Sequence, residues 1–378
     1  MVRYDMIECG GGACRVTVQV ASFTVSGGVC ERHAMLHVEG AGRPFAEQAG
    51  ALAQALGELR GRFADAVILM CRLYLSDAAA QQKAAAELFA GVPLSVIQQP
   101  PMDGSKAALW AIFCDGMERV GEAAFRHNGY THRYDLMCEA AGADSAEQTA
   151  ALLERYEASL SDCGMALADD CVRTWFFVRD VDVNYKGVVD ARRENFIGCG
   201  LTERTHYIAS TGIEGKPDRR DVFVRMDAYA VEGLSSGQQR YLYAKEHLNP
   251  TYEYGVTFER GVRVDYGDRS HSLISGTASI DNRGRVVHVG DVRRQTEHMW
   301  ENVAALLHEG GASMADVMSI VVYIRDTADY GVVRDMFARR WPDIPTVITL
   351  APVCRPEWLV EMECMAVTER ADGRYRPF

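Results

Sequence analysis

Two carboxylates stand at alternate positions in the segment Leu359-Val360-Glu361-Met362-Glu363. Successive side chains of an extended strand point to opposite faces, so Glu361 and Glu363 share one face and Val360 and Met362 the other. Such a face is ordinarily solvated; lining a cleft, it can instead do acid–base work. Four arginines, Arg173, Arg260, Arg325 and Arg355, are candidates for holding an anion, because the planar guanidinium fork grips a carboxylate through two hydrogen bonds. Each taken singly is more ordinarily a surface ion-pair residue. Cys354 reads by itself as a buried apolar thiol, and Gly276 as a backbone allowance for close packing. No metal site is expected: His127 and His132 have Gly129 between them and neither a Cys nor a third His nearby. Gly10-Gly11-Gly12 lacks the Gly-Lys-Ser/Thr of a phosphate-binding loop, and the aromatic run Trp175 to Phe177 reads as core.

The chain that must position these residues has 378 residues, 48% hydrophobic and 24% charged, with a formal net charge of −12. That is ordinary globular composition, with material for two or three domains. The acidic balance argues against broad nucleic-acid binding, which needs clustered Lys and Arg, but leaves room for a small anionic ligand in a locally basic pocket. The 11 cysteines form no CxxC pair and no zinc spacing, so reduced thiols are expected. Met1 to Gly12 shows no basic segment leading into an apolar core, and no stretch of apolar residues is long enough to span a bilayer. The expectation is a cytoplasmic protein, a monomer or weak homo-oligomer, with no membrane partner and no cofactor.

One pattern occurs three times. An amphipathic helix begins near a Gln, and a short link leads to an apolar strand ending in Asp. The Gln/Asp pairs are Gln48 and Asp77, Gln148 and Asp180, and Gln295 and Asp326, each separated by roughly thirty residues. In the third copy Trp300, Val303, Leu306 and Leu307 make one apolar stripe, and Gly310-Gly311 ends the helix. Val317 to Ile324 is a β-branched strand of the kind covered by helices. Second helices are expected over Ala78 to Leu88, Tyr185 to Phe196 and Tyr330 to Arg340, and closing strands over Thr346 to Pro352 and Trp358 to Thr368. The third unit reads ββ-α-β-α-ββ, an α+β arrangement with helices on one face of a mixed sheet. Turn formers at Cys114 to Gly121 and Glu232 to Gln239 divide the chain into units of 1–116, 117–236 and 237–378.

The third unit resembles the RidA/YjgF superfamily through Leu273-Ile274-Ser275-Gly276-Thr277-Ala278-Ser279, Gly290-Asp291, Gln295-Thr296, Glu301-Asn302 and Val360-Glu361-Met362-Glu363. The resemblance implies three tandem RidA-like units, the first degenerate, forming a pseudo-trimer within one chain. A narrower resemblance is to the chorismatase family. It runs through Arg173-Thr174-Trp175, Val189-Asp190-Ala191-Arg192, Ala209-Ser210-Thr211-Gly212-Ile213, Asn249-Pro250, Tyr254-Gly255, Phe258-Glu259-Arg260 and Val353-Cys354-Arg355. It departs from that pattern after Tyr254-Gly255, where Val256-Thr257 stands in place of Pro-Arg, so one cation is missing or comes from elsewhere.

The resemblance implies an enzyme acting on chorismate, a dianion, with Glu361 as the acid and with Arg173, Tyr254, Arg260, Gly276, Arg325 and Arg355 around the substrate. The Gly276/Cys354 pair is that of the 3-hydroxybenzoate-forming type, where the FkbO type has Ala at both places. The two residues are expected to shape the space beside the ring, so changing both to Ala should redirect product without touching pyruvate release. The competing readings are a Rid-type enamine/imine deaminase, a non-catalytic metabolite-binding protein, and the endoribonuclease label attached to the superfamily. Against the deaminase, Pro345 is followed by Thr346-Val347 and not by the arginine such enzymes place there.

Overall fold

The computed structural model describes residues 1–10 and 14–378, so the reading of Gly10-Gly11-Gly12 lies partly outside the described residues. The first stretch of chain forms β1 (Arg3–Cys9), β2 (Arg15–Phe23), β3 (Glu31–Glu39), α1 (Phe45–Arg62), β4 (Ala66–Leu75), α2 (Ala78–Leu88), β5 (Leu94–Gln98) and β6 (Ala107–Asp115). The second forms β7 (Glu118–Arg119), β8 (Ala124–His127), β9 (Tyr130–Cys138), α3 (Ser145–Ser161), the short α4 (Leu167–Asp170), β10 (Cys171–Val178), α5 (Val181–Gly198), β11 (Ala209–Glu214) and β12 (Val224–Glu232). The third forms β13 (Gln239–Leu242), β14 (Gly261–Asp265), β15 (Arg269–Ala278), α6 (Val292–Glu309), β16 (Val317–Ile324), α7 (Tyr330–Arg340), β17 (Thr346–Leu350) and β18 (Val360–Glu369).

Each stretch builds one six-stranded sheet, and the strand order is the same three times: β1-β2-β3-β6-β4-β5, β7-β8-β9-β12-β10-β11 and β13-β14-β15-β18-β16-β17. The pairs β4/β5, β10/β11 and β16/β17 are parallel, because a helix (α2, α5 or α7) carries the chain back between them. This is the α+β fold of three tandem units that the sequence leads one to expect. The sheets end at Asp115 and Glu232 and resume at Glu118 and Gln239, and we propose that the units divide within these turns. Among the described residues, no helix is long and apolar enough to cross a membrane.

The recurrent glutamine is a clamp. Gln295, fully buried at the start of α6, donates to the carbonyls of His288 and Glu357 and accepts from the amide of Leu359. Gln48 does the same with Gly40, Arg43 and Lys106, and Gln148 with Gly142, Asp221 and Phe223. One amide thus ties the loop before each first helix to the segment that feeds the last strand of its unit.

Two local expectations need correction. The second helix of the middle unit starts at Val181 and not at Tyr185. Its β-branched first turn is a weak helix former, but Glu214 of β11 accepts from the amides of Asp180 and Val181 and supplies the cap. Asp180 itself sits at φ +48 and does not cap, whereas Asp77 caps α2 with its side chain. The third unit also carries an extra edge strand, β13, at the end of the segment read as linker.

Packing separates the two faces of each sheet. Helices cover one face: Leu52, Leu56 and Leu59 of α1 pack on Val18, Leu36 and Leu109, and Leu152, Leu153 and Tyr156 of α3 on Phe176 and Met226. The opposite faces of all three sheets meet in a shared core that joins Tyr74 and Trp110, Trp175 and Phe177, and Leu273, Val321 and Tyr323. Clefts between neighbouring units open at the edges of this junction.

Candidate active site

One cleft, a cavity of about 460 Å³, lies between α5 and β11 of the middle unit and β15, β18 and the 249–260 strap of the third. Glu361 reaches it from β18, where it pairs with Ala278 on one side and Tyr323 on the other. The alternation expected from the sequence holds, since Glu361 and Glu363 project from the same face. Neither is solvated: each is 5% exposed.

The environments of the two carboxylates are opposite. Glu363 accepts from Arg173 Nη2 at 2.7 Å, from Trp175 Nε1 at 2.8 Å and from the Thr211 hydroxyl. Glu361 has no hydrogen-bond partner among the described residues. Burial, helped by the negative charge of Glu363 and only partly opposed by Arg260 and Arg173, pushes the Glu361 carboxyl up to about 8. Two carboxyls in contrasting surroundings divide into an acid and an anion. At neutral pH Glu361 carries a proton and Glu363 completes an ion pair.

Gly276 sits in a bulge of β15 where the pairing with β18 shifts between Ile274 and Thr277. Its amide donates to Thr211 Oγ1 at 2.9 Å. A β-carbon there would collide with Glu361 Oε1 and lie 3.0 Å from Thr211 Cγ2. The space that the missing side chain leaves is therefore taken by the acid itself, which changes what an alanine at Gly276 should do.

The arginines separate by partner. Arg260 and Arg355 line the cavity, their guanidiniums 5.3 and 4.8 Å from the ring of Tyr254, which the strap brings over the mouth. Arg173 does not reach the cavity: it is fully committed to Ser275, Thr211 and Glu363. Arg325 does not reach it either, because Asp182 and the carbonyl of Val353 hold it at 2.6–2.9 Å. Its effect is indirect, pinning the segment before Cys354 to the start of α5. The residue that sequence reasoning quoted but did not single out is Arg192. It is 1% exposed, lines the cavity from α5, and its Nη2 has no partner. Tyr185, two turns earlier on α5, was also missed; its ring packs over Gly212, where a β-carbon would come within 2.7 Å of it. The signal was available, since Val181, Tyr185, Val189 and Arg192 fall on one helical face.

Cys354 lines the same cavity, and burial, with Glu361 adding to it, pushes its thiol up to about 12. It is a neutral thiol and not a thiolate. At the place of the absent Pro-Arg, Arg193 of α5 donates to the carbonyl of Gly255, so a cation does border the mouth from the neighbouring unit.

The corresponding position in the other two units carries no acid. Where Tyr323 pairs with Glu361, Phe177 pairs with Arg225 and Tyr74 with Ala108. Arg225 is saturated by Glu139, Gln82, Asp218 and the carbonyl of Val96.

Residues 267–368 match the family model described as Endoribonuclease L-PSP. The 3-aminoacrylate deaminase RutC of Acinetobacter baylyi is 32% identical over 95 residues, 25% of this chain and 75% of that protein. A RutC family protein of Pyrococcus abyssi is 30% identical over 99 residues, 26% of this chain and 78% of that protein. Both cover about one unit. A crystal structure of a chorismatase matches 89% of this chain and 98% of its own, with a TM-score of 0.63 and 20% identity. At that identity the likeness is one of fold, and it extends across all three units.

Proposed function

The chain belongs to the RidA/YjgF (endoribonuclease L-PSP) family through its C-terminal unit, and from that premise we propose that it is a chorismatase-like enzyme that cleaves the enolpyruvyl ether of chorismate. The observation that carries the reading is Glu361: a buried carboxyl, protonated at neutral pH, without a hydrogen-bond partner, facing a cavity bordered by Arg192, Arg260 and Arg355.

The chemistry follows from that geometry. The two substrate carboxylates fall to the arginines, with the unpartnered Nη2 of Arg192 among the donors. Glu361 gives its proton to the vinyl methylene, and the positive charge that develops on the ether carbon is shared with its oxygen. The resulting Glu361 carboxylate lies close to that charge, in a site where little water screens the attraction. Two courses lead on from this cation. If water adds to the ether carbon and returns a proton to Glu361, the hemiketal collapses by breaking the bond between that carbon and the ether oxygen, which stays on the ring; the products are pyruvate and a dihydroxycyclohexadiene carboxylate, which together hold the atoms of chorismate and one water. If instead the ring C–O bond breaks, pyruvate leaves with the ether oxygen, the remaining hydroxyl moves to the vacated ring carbon and the ring aromatises with return of a proton; the products are pyruvate and 3-hydroxybenzoate, which hold the atoms of chorismate alone. The neutral thiol of Cys354 beside Tyr185 supports the second course, by donating a hydrogen bond at the ring without competing as a nucleophile.

The test is incubation of the purified protein with chorismate, with pyruvate followed by coupled reduction and ring products by chromatography. Pyruvate with 3-hydroxybenzoate is the expected result; absence of pyruvate from folded protein overturns the reading. The kinship to RutC favours one alternative, an enamine/imine deaminase, read out by ammonia release from 3-aminoacrylate. The lack of an arginine after Pro345 speaks against it.

A further inference from the structure

The acid is held in part by residues that lie behind the cavity. Glu363 lies two residues along β18, where the inner faces of the three sheets meet. Its carboxylate draws on the middle unit through Arg173 at 2.7 Å and Trp175 at 2.8 Å, and Arg72 of the first unit stands 3.9 Å away. Thr211 of β11 joins this cluster to the site. Its hydroxyl donates to Glu363 and accepts from the Gly276 amide at 2.9 Å and from Arg173 Nη2 at 2.5 Å. Thr211 also lines the cavity, and its Cγ2 and Glu361 Oε1 both border the space that a β-carbon on Gly276 would occupy. Arg173 is the buried middle-unit cation that bonds Glu363, and its Nη1 and Nη2 donate to Ser275, Thr211 and Glu363.

We propose that Glu363 and Thr211 are positioning residues for Glu361: they hold the Gly276 bulge against the acid and keep Arg173 engaged elsewhere, so that Glu361 meets the substrate as a proton donor. The inference rests on the reading of Glu361 as the acid. The charged and titratable groups around Glu361 are Glu363 on its own strand, Tyr323 on β16, Arg173 on β10, Tyr185 and Arg192 on α5, Arg260 and Tyr254 on the strap, and Cys354 and Arg355 on the loop before β18. Of the two carboxylates, only Glu363 is paired with Arg173. Removing its charge leaves the Arg173 cation uncompensated and free to act on Glu361, which stabilises the ionised acid.

The experiment is a carboxyl-¹³C titration of protein labelled at glutamate, with the Glu361 signal identified from its loss in Glu361→Gln. The wild-type signal should titrate near pH 8. In Glu363→Gln the midpoint should fall by about one pH unit or more, and the upper limb of the pH profile for pyruvate release should move down with it. An unchanged midpoint in folded Glu363→Gln overturns the proposal. Because that variant leaves Arg173 without its counter-ion and can fail to fold, Thr211→Val provides the second arm. It should lower kcat about tenfold or more with little change in KM, and Thr211→Ser should restore it; wild-type kcat in Thr211→Val overturns the proposal equally. If the wild-type protein releases no pyruvate from chorismate, the functional reading falls, and the titration still decides whether Glu363 governs the Glu361 proton.

Discussion

The carboxyl of Glu361 is held where folding alone would not place it. Below about pH 4.5 it is protonated in the folded and unfolded chain alike and costs nothing. Above that the unfolded chain ionises while the folded one keeps its proton to about 8, so stability falls as pH rises between these values. At ~1.4 kcal/mol per pH unit the cost at neutral pH is on the order of 2–4 kcal/mol. Glu361→Gln, which keeps the shape and cannot ionise, should therefore melt higher than wild type at pH 7, with the gap closing toward pH 4; calorimetry at the two pH values checks it. The same substitution should lower pyruvate release by about 10²–10⁴-fold, the usual contribution of a positioned acid, measured with the coupled assay. Wild-type turnover should fall above about pH 8, as the acid loses its proton. Gly276 and Cys354, expected to act together on product choice, separate on this geometry. Gly276→Ala pushes the Glu361 carboxyl aside and should cut pyruvate release itself by about tenfold or more, since small misplacements of a reacting group cost that much. Cys354→Ala leaves the acid in place and should preserve pyruvate release while raising the share of dihydroxycyclohexadiene carboxylate, read by chromatography.

At the scale of elements, the site depends on a loop and a strap that carry little regular structure. The segment from Val353 to Trp358 joins β17 to β18 and presents Cys354 and Arg355. It is fixed at one end by Arg325, which bridges Asp182 and Val353, and at the other by Gln295, which holds Glu357 and Leu359. Gln295→Leu removes three hydrogen bonds and leaves backbone groups beside the site without partners. It should cost about 2–4 kcal/mol of stability, measured by chemical denaturation, and should lower kcat/KM because the loop it anchors carries cavity residues. The equivalent change at Gln48 should cost a similar amount of stability and leave kcat/KM unaltered, since its clamp holds a unit without an acid.

At the scale of the whole molecule, the three units share ion pairs that no unit could complete alone. Arg72 of the first, fully buried, bonds Asp227 of the second at 2.8 Å and lies 4.6 Å from the Trp175 ring; Arg173 of the second bonds Glu363 of the third. A buried charge left without its partner typically costs 3–5 kcal/mol. Arg72→Met, which leaves Asp227 uncompensated, should destabilise by about that amount. Because the pair ties units together, the loss should appear as a downward shift of a single cooperative transition and not as a separate early transition of the first unit. Differential scanning calorimetry distinguishes the two.

Local chemistry wrote the elements plainly into the chain. A period of 3.6 in Trp300, Val303 and Leu307 and a run of β-branched residues in Val317–Ile324 depend only on neighbours in sequence, and so do the two faces of the strand that carries Glu361 and Glu363. The threefold recurrence of Gln and Asp was legible for the same reason, because each unit solves the same packing problem with the same residues. What the sequence could not determine was the fate of each charge. Arg173 looked like a ligand for the substrate and proved to be the counter-ion of Glu363, 190 positions away; Arg325 went to Asp182, 143 positions away; and Arg192 was left with an unpaired nitrogen at the cavity. A guanidinium can swing several ångströms on its flexible stem, and its partner is decided by whichever carboxylate the packing of another unit brings within reach. That packing, which also strips water from Glu361 while giving the cations to Glu363, exists only in the tertiary structure.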